Sequence, residues 1–241
     1  LVFLPGEREI RQSLDWLTKN FLSKLRRSKW EALPLYSKLS VQDQNRIFTP
    51  SHCRRVILTT NIAETSLTIP KIQYVIDSGL ARVKRYSYRN KVEMLQVEKI
   101  SQASANQRAG RSGRVMNGVC VRLYSEVDFD QRLVHAEPEI LRSSLAAVIL
   151  RMAVFGLEEP EKFPFIDSPI PRALSDGYQL LEELGAIDRA RQLTPIGKKI
   201  ARIPVDPRVA RMILASSELG CLEEVLKLAA GLSVQDPRER E

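Results

Sequence analysis

The stretch Gln107-Arg108-Ala109-Gly110-Arg111-Ser112-Gly113-Arg114 packs three guanidinium groups and one side-chain amide into eight residues. A guanidinium presents several donors in one rigid plane, which match phosphate oxygens in bidentate fashion. A helix through this stretch puts Gln107, Arg111 and Arg114 at i, i+4 and i+7 on one face and turns Arg108 elsewhere. The two glycines let a second backbone or a ligand approach closely. Glycine weakens a helix interior by roughly 1 kcal/mol relative to alanine, so two within one turn need a compensating use. The chemistry on offer is that of an arginine finger, and a solvated basic helix holding two glycines is the competing reading.

Strands and helices must position that face. Leu1 to Leu4 reads as a buried strand ended by Pro5-Gly6, and Ile10, Leu14, Leu17 and Phe21 then recur at helical spacing. Further strands are expected near residues 31–36, 55–60, 73–77 and 119–124, with a helix capped by Ser40 and ending near Phe48. This alternation predicts an α/β fold with a parallel sheet covered on both faces by helices. Residues 82–88 and 91–97 interrupt it as a long hairpin turning at Arg89-Asn90. Ser101 is the expected cap of a helix running to Gly113. Beyond about Asp130 the pattern is mainly helical: Leu141, Leu145, Val148, Met152 and Phe155 form an apolar stripe, and Thr194-Pro195 and Asp206-Pro207 each place a cap directly before a first-turn proline.

The 241 residues suffice for one large or two small domains, and a formal charge of +8 with 37 basic side chains favours a polyanionic partner. Cys53, Cys120 and Cys221 lie far apart, with His52 and His135 the only histidines, which argues against a zinc site or a disulfide framework and for a reducing compartment. No apolar run reaches the ~18–20 residues of a bilayer span, and no signal peptide is recognisable. The abrupt start at a buried strand suggests a piece of a longer protein.

The stretch QRAGRSGR resembles motif VI of superfamily 2 helicases of the DEAH-box type, and residues 59–69, TTNIAETSLTI, resemble motif V of the same family. LVFLPGEREI at the start is similar to motif IV, and ISQASANQRAGR is especially similar to bacterial HrpA-type RNA helicases. Residues 126–241 resemble the family's winged-helix domain and the opening of its ratchet-like domain, most visibly in LTPIGKKIARIPVDPRVARMIL. The resemblance implies a second RecA-like domain over residues 1–128 with a hairpin near 80–99, a winged helix over 129–203, and the start of a ratchet domain over 204–241.

It also implies roles. Gln107 and Arg111 would face the γ-phosphate of ATP and Arg114 would be the finger; Phe48 would stack on adenine, with Ser66 and Thr68 near the nucleotide. Phe48 as an ordinary core residue is the alternative. Thr60 would contact an RNA phosphate, and the Gly6 N–H could do the same. Pro70 stands where many members carry an acidic ribose contact, so that contact is not made. Residues 78–92 hold Arg82, Lys84, Arg85, Arg89 and Lys91 with Tyr86 and Tyr88 interleaved and no acid. A strand-separating hairpin with Arg85, Tyr86 and Arg89 on RNA is one reading, and a charged, aggregation-resistant strand edge the other. Lys198, Lys199, Arg208 and Arg211 are candidates for lining an RNA channel.

Neither a GxxxxGK[ST] loop nor a DEAH tetrad occurs in the chain, so the first RecA-like domain, with most Mg2+ ligands, is expected elsewhere in the protein. The expectation is therefore an ATP-dependent RNA helicase portion, inactive alone, acting on single-stranded RNA and duplexes with a 3' overhang, monomeric and cytoplasmic. A non-catalytic RNA-binding module and a DNA-directed helicase are the alternatives.

Overall fold

The structure, a computed structural model, describes residues 1–22, 29–65, 67–113 and 117–233. Its strands are β1 (Val2–Phe3), β2 (Trp30–Leu35), β3 (Arg54–Thr59), β4 (Tyr74–Asp77), β5 (Leu80–Ser87), β6 (Val92–Lys99) and β7 (Val119–Arg122). Five of them form a parallel sheet in the order β2-β3-β1-β4-β7, and β5 and β6 form the expected hairpin. The register aligns Phe3 with Thr59 and Asp77, Leu35 with Thr59, and Asp77 with Arg122, so all five carboxyl ends share one edge. The strand expectations hold to within one or two residues.

Alternation along the strands divides the core in two. Val2, Val56 and Leu58 meet α1 (Glu7–Leu17) through Ile10, Leu14 and Leu17. Phe3, Leu33, Ile57 and Val75 build the opposite face with Ile47, Ala63 and Ile69. Phe21 leaves the expected stripe because α1 gives way to a π-helical turn over Thr18–Leu22, which advances the side chain off the face; it is 43% exposed and packs edge-on against Trp30. Among the shorter helices, α2 (Val41–Asn45) is capped by Ser40, α3 (Ile62–Thr65) follows β3, and α4 (Gln102–Ala109) follows the hairpin. Ser125 caps α5 (Glu126–Asp130).

The chain divides into two compact units, one of Leu1–Lys84 with Leu95–Ala136 and one of Arg85–Met94 with Glu137–Glu241. The outer half of the hairpin thus belongs with the helical unit. There, α6 (Ala146–Phe155), α7 (Pro171–Glu183), α8 (Pro195–Arg202) and α9 (Pro207–Leu219) enclose a core that includes Leu145, Ile149, Leu174, Leu181, Ile200 and Ala210, and α10 (Leu222–Ser233) follows. The expected caps form: Thr194 Oγ accepts from Gly197 N–H at 2.9 Å and Asp206 from Arg208 N–H at 2.9 Å. The stripe through Phe155 does not. α6 starts only at Ala146 and buries Ala146, Ile149, Leu150 and Met152, which leaves Phe155 74% exposed.

Candidate functional site

Motif V follows β3, so Thr60 sits at the carboxyl edge of the sheet, where its N–H donates to the Leu35 carbonyl at 3.2 Å. Ligands of open α/β sheets favour that edge. The chain then runs through α3 and on to Gln73, whose carbonyl lies beside the start of β7. Motif V therefore crosses from the carboxyl edge to the amino edge. α4 makes the same crossing: Ile100 N–H, just before it, donates to Gly79 beyond the end of β4, and β7 begins opposite Tyr74.

Ser101 caps α4 as expected, its Oγ accepting from Ser104 N–H at 3.1 Å. The helix stops at Ala109, not Gly113. Gly110 closes it and Gly113 adopts φ +81°, a left-handed conformation that glycine accepts without a Cβ clash. The face expected to join Gln107 and Arg111 is consequently not formed. Gln107 is exposed on α4, whereas Arg111 lies beyond the helix, 9% exposed, and folds back onto motif V. Its Nη1 donates to the Leu67 carbonyl at 2.8 Å and its Nη2 to the Glu64 carbonyl. Carbonyls at the end of α3 lack helical partners and suit a cation, which explains this choice. Arg114 and Ser66 lie outside the described residues.

Arg108, which is not among the candidate site residues, is fully buried. Its Nη1 donates to Asp77 Oδ1 at 2.7 Å and to the Leu80 carbonyl at 3.2 Å, and its Nε to Glu64 Oε2 at 3.0 Å. The guanidinium lies 4.8 Å from the centre of the Phe3 ring. Asp77 also accepts from Gly79 N–H at 2.9 Å and from the Tyr124 hydroxyl at 2.8 Å. Burial, and then the Asp77 carboxylate, hold that hydroxyl protonated far above the ordinary tyrosine range.

Of the nucleotide-facing candidates, Phe48 lies at the amino edge. Phe48, 41% exposed and so no core residue, follows α2 and borders a cleft of about 670 Å³ with Pro50, Ile69, Pro70 and Tyr74. Pro70 thus shares the cleft with Phe48, and Thr68 is exposed just before it. An aromatic face beside exposed hydroxyl and amide groups suits an adenine nucleotide. No group of three or more His, Cys, Asp or Glu side chains that could hold a metal ion occurs among the described residues.

Three expected RNA contacts are placed differently. Gly6 is buried, and a Cβ there would stand 2.9 Å from both the Arg82 guanidinium and Glu9 Oε2, so the position has no room for a side chain. Arg85 pairs with Glu137 at 2.5 Å. Tyr86 is 7% exposed, donates its N–H to the Arg142 carbonyl at 2.7 Å and packs edge-on against Tyr88, which rests on the helical core. Burial raises the pKa of the Tyr86 hydroxyl. Lys91 pairs with Asp176 and Arg172 lies over the Tyr88 ring, so two residues one turn apart on α7 hold the outer hairpin. Only Arg89, at the turn, is exposed among the three hairpin candidates. Lys198 and Lys199 are exposed on α8, while Arg208 and Arg211 are half-buried on α9. No described helix is long and apolar enough to cross a membrane.

Residues 1–116 match the family pattern described as helicase conserved C-terminal domain, residues 178–205 the helicase-associated winged-helix domain, and residues 206–241 the ratchet-like helicase-associated domain. The chain is 53% identical to the ATP-dependent RNA helicase HrpA of Escherichia coli, over 100% of this chain and 18% of that protein. It is also 53% identical to the HrpA homolog of Haemophilus influenzae, over 100% of this chain and 19% of that protein. To the human probable ATP-dependent RNA helicase DHX34 it is 43% identical over 100% of this chain and 21% of that protein. The chain therefore spans about a fifth of these relatives. Among solved structures, the Escherichia coli DEAH/RHA helicase HrpB superposes with a TM-score of 0.86 at 34% identity, over 96% of this chain and 29% of that one.

Proposed function

Because the chain belongs to the DEAH-box helicase family, we propose that it is the second RecA-like domain, with the winged helix and the start of the ratchet domain, of an ATP-dependent RNA helicase. The whole protein couples ATP hydrolysis to movement along single-stranded RNA and to opening of duplexes with a 3' overhang. It works as a monomer in the cytoplasm.

The observation that carries this reading is the path of motif V, which begins at the carboxyl edge with Thr60 and ends at the Phe48 cleft. One short segment thereby reaches both an RNA-facing and a nucleotide-facing surface. In this reading Thr60 holds a backbone phosphate, Phe48 stacks on the base, and Ser66 and Thr68 donate hydroxyls near the nucleotide. Pro70 gives no hydrogen bond to the ribose, so sugar selectivity is weak on this side. Gln107 and Arg114 meet the γ-phosphate that a first RecA-like lobe presents, and Arg111 reaches it by giving up its carbonyl partners on motif V. Mg2+, when bound, would be held mainly by that lobe and would supply charge neutralisation at the phosphates.

The test is Arg114→Ala in the full-length protein. Loss of a finger lowers turnover by about 10³ to 10⁵, and RNA affinity persists, since RNA is gripped through other residues. Turnover within tenfold of wild type, or substantial ATP hydrolysis by the 241-residue chain alone, refutes the assignment.

A further inference from the structure

Arg108 sits beside Gln107 in the stretch assigned above to nucleotide chemistry, yet it faces no cleft. Its guanidinium instead joins three segments: motif V through the Glu64 carboxylate, the end of β4 through Asp77, and the root of the hairpin through the Leu80 carbonyl. Guanidinium donors are coplanar and rigid, so partners bound to one such group cannot shift independently. Glu64 is gripped from its other side as well. Its carbonyl accepts from Arg111 and its N–H donates to the Asn61 carbonyl at 2.9 Å, one residue from Thr60. A second arginine braces the hairpin root: Arg132 donates to the Gly79 carbonyl at 2.8 Å and lies 3.8 Å from the centre of Tyr124, whose hydroxyl is on Asp77.

Well-packed apolar side chains often close a core with no loss of stability relative to such a buried ionic group. A cation enclosed by two carboxylates is therefore weakly explained by stability and better explained by geometry. We propose that Arg108 is a positioning residue: it transmits displacement of motif VI to motif V and to the hairpin root, so that RNA engagement and ATP hydrolysis communicate through Glu64, Arg108 and Asp77. The inference rests on the helicase reading and names the internal linkage of that site.

Glu64→Gln in the full-length protein is the test. Glutamine keeps the shape, an acceptor for Arg108 Nε and the main-chain carbonyl that Arg111 uses, and removes only the charge. Turnover is measured with and without a single-stranded RNA oligonucleotide, beside RNA affinity and thermal unfolding. RNA-free turnover and RNA affinity stay within about twofold of wild type, while stimulation by RNA falls about tenfold, the difference between a charge-assisted and a neutral hydrogen bond. Arg108→Lys, which keeps the charge but not the planar fork, shows the same selective loss. Stimulation retained within threefold in folded Glu64→Gln protein overturns the inference, as does an equal fall of RNA-free and RNA-stimulated turnover. A wild-type protein whose hydrolysis ignores RNA refutes the helicase reading itself, a result distinguishable from either.

Discussion

Replacing Tyr86 by alanine separates a hairpin that contacts RNA with its aromatic faces from one bolted into the helical unit. Tyr86 is 7% exposed, so nearly all of the 150–250 Å² an aromatic residue buries is removed from water. At about 25 cal/mol per Å² this corresponds to roughly 4–6 kcal/mol, an upper bound because the unfolded chain is itself partly compact. Aromatic-to-alanine changes in cores cost about 3–5 kcal/mol, and the edge-on contact with Tyr88, 5.3 Å between ring centres, lies within that figure. The expected loss is about 3–4 kcal/mol, or roughly 10 °C in the unfolding midpoint of that unit. Circular dichroism melting of the 241-residue chain reads the stability, and fluorescence anisotropy with a labelled oligonucleotide reads RNA binding. Arg89→Ala, at the exposed turn, is the counterpart, with stability inside ~0.5 kcal/mol of wild type. The packing argument is refuted if Tyr86→Ala melts within about 2 °C of wild type and weakens RNA binding.

Two further outcomes concern the helical unit. A Cβ at Gly197 would stand 2.0 Å from the Ala186 carbonyl oxygen, so Gly197→Ala must move backbone and destabilises by about 1–3 kcal/mol, whereas Gly231→Ala in α10, with nothing within 4 Å of its Cβ, stabilises by about 0.5–1 kcal/mol; melting temperatures of opposite sign check the pair. Tyr178 is pushed up to about 12, first by burial and then by the carboxylate of Glu161, which accepts its hydroxyl at 3.1 Å. The unfolded chain releases this proton near pH ~10 while the folded chain keeps it, so stability falls as pH rises from there toward about 12. Tyr178→Phe flattens that alkaline decline in denaturant titrations, and an unaltered slope contradicts the assignment.

The sequence made the sheet legible because its strands carry apolar alternation bounded by turns, and the caps because Ser101, Thr194 and Asp206 satisfy helix starts locally. What it hid depends on partners distant along the chain. Arg108 reads as an outward basic residue until Glu64 and Asp77, 44 and 31 residues away, meet it in the core. Tyr86 and Tyr88 read as base-stacking rings because spacing shows alternation without showing which side is covered. Phe155 completes a helical stripe on paper but is the last residue of α6, past the positions Leu145, Ile149 and Met152 that are buried, and it stays exposed. The site was legible at the level of motifs, and the direction of Arg111 was not, since α4 ends at Ala109 with Gly110 as its cap and Arg111 leaves the helical face.

That early ending gives motif VI two anchors on motif V instead of one phosphate-facing row. Arg108 takes the Glu64 side chain from within the core, and Arg111 takes the Glu64 and Leu67 carbonyls from the loop side. A segment held on both sides cannot move at one end alone: lifting Arg111 toward a phosphate releases two carbonyls, while Arg108 keeps Glu64 fixed to β4. Motif V is tied to Leu35 at its Thr60 end and buried in the sheet core at Ile69. In the proposed reading, nucleotide contact at Arg111 and RNA contact at Thr60 are coupled through α3, and Glu64, held by both arginines, is the residue where the two can be disconnected.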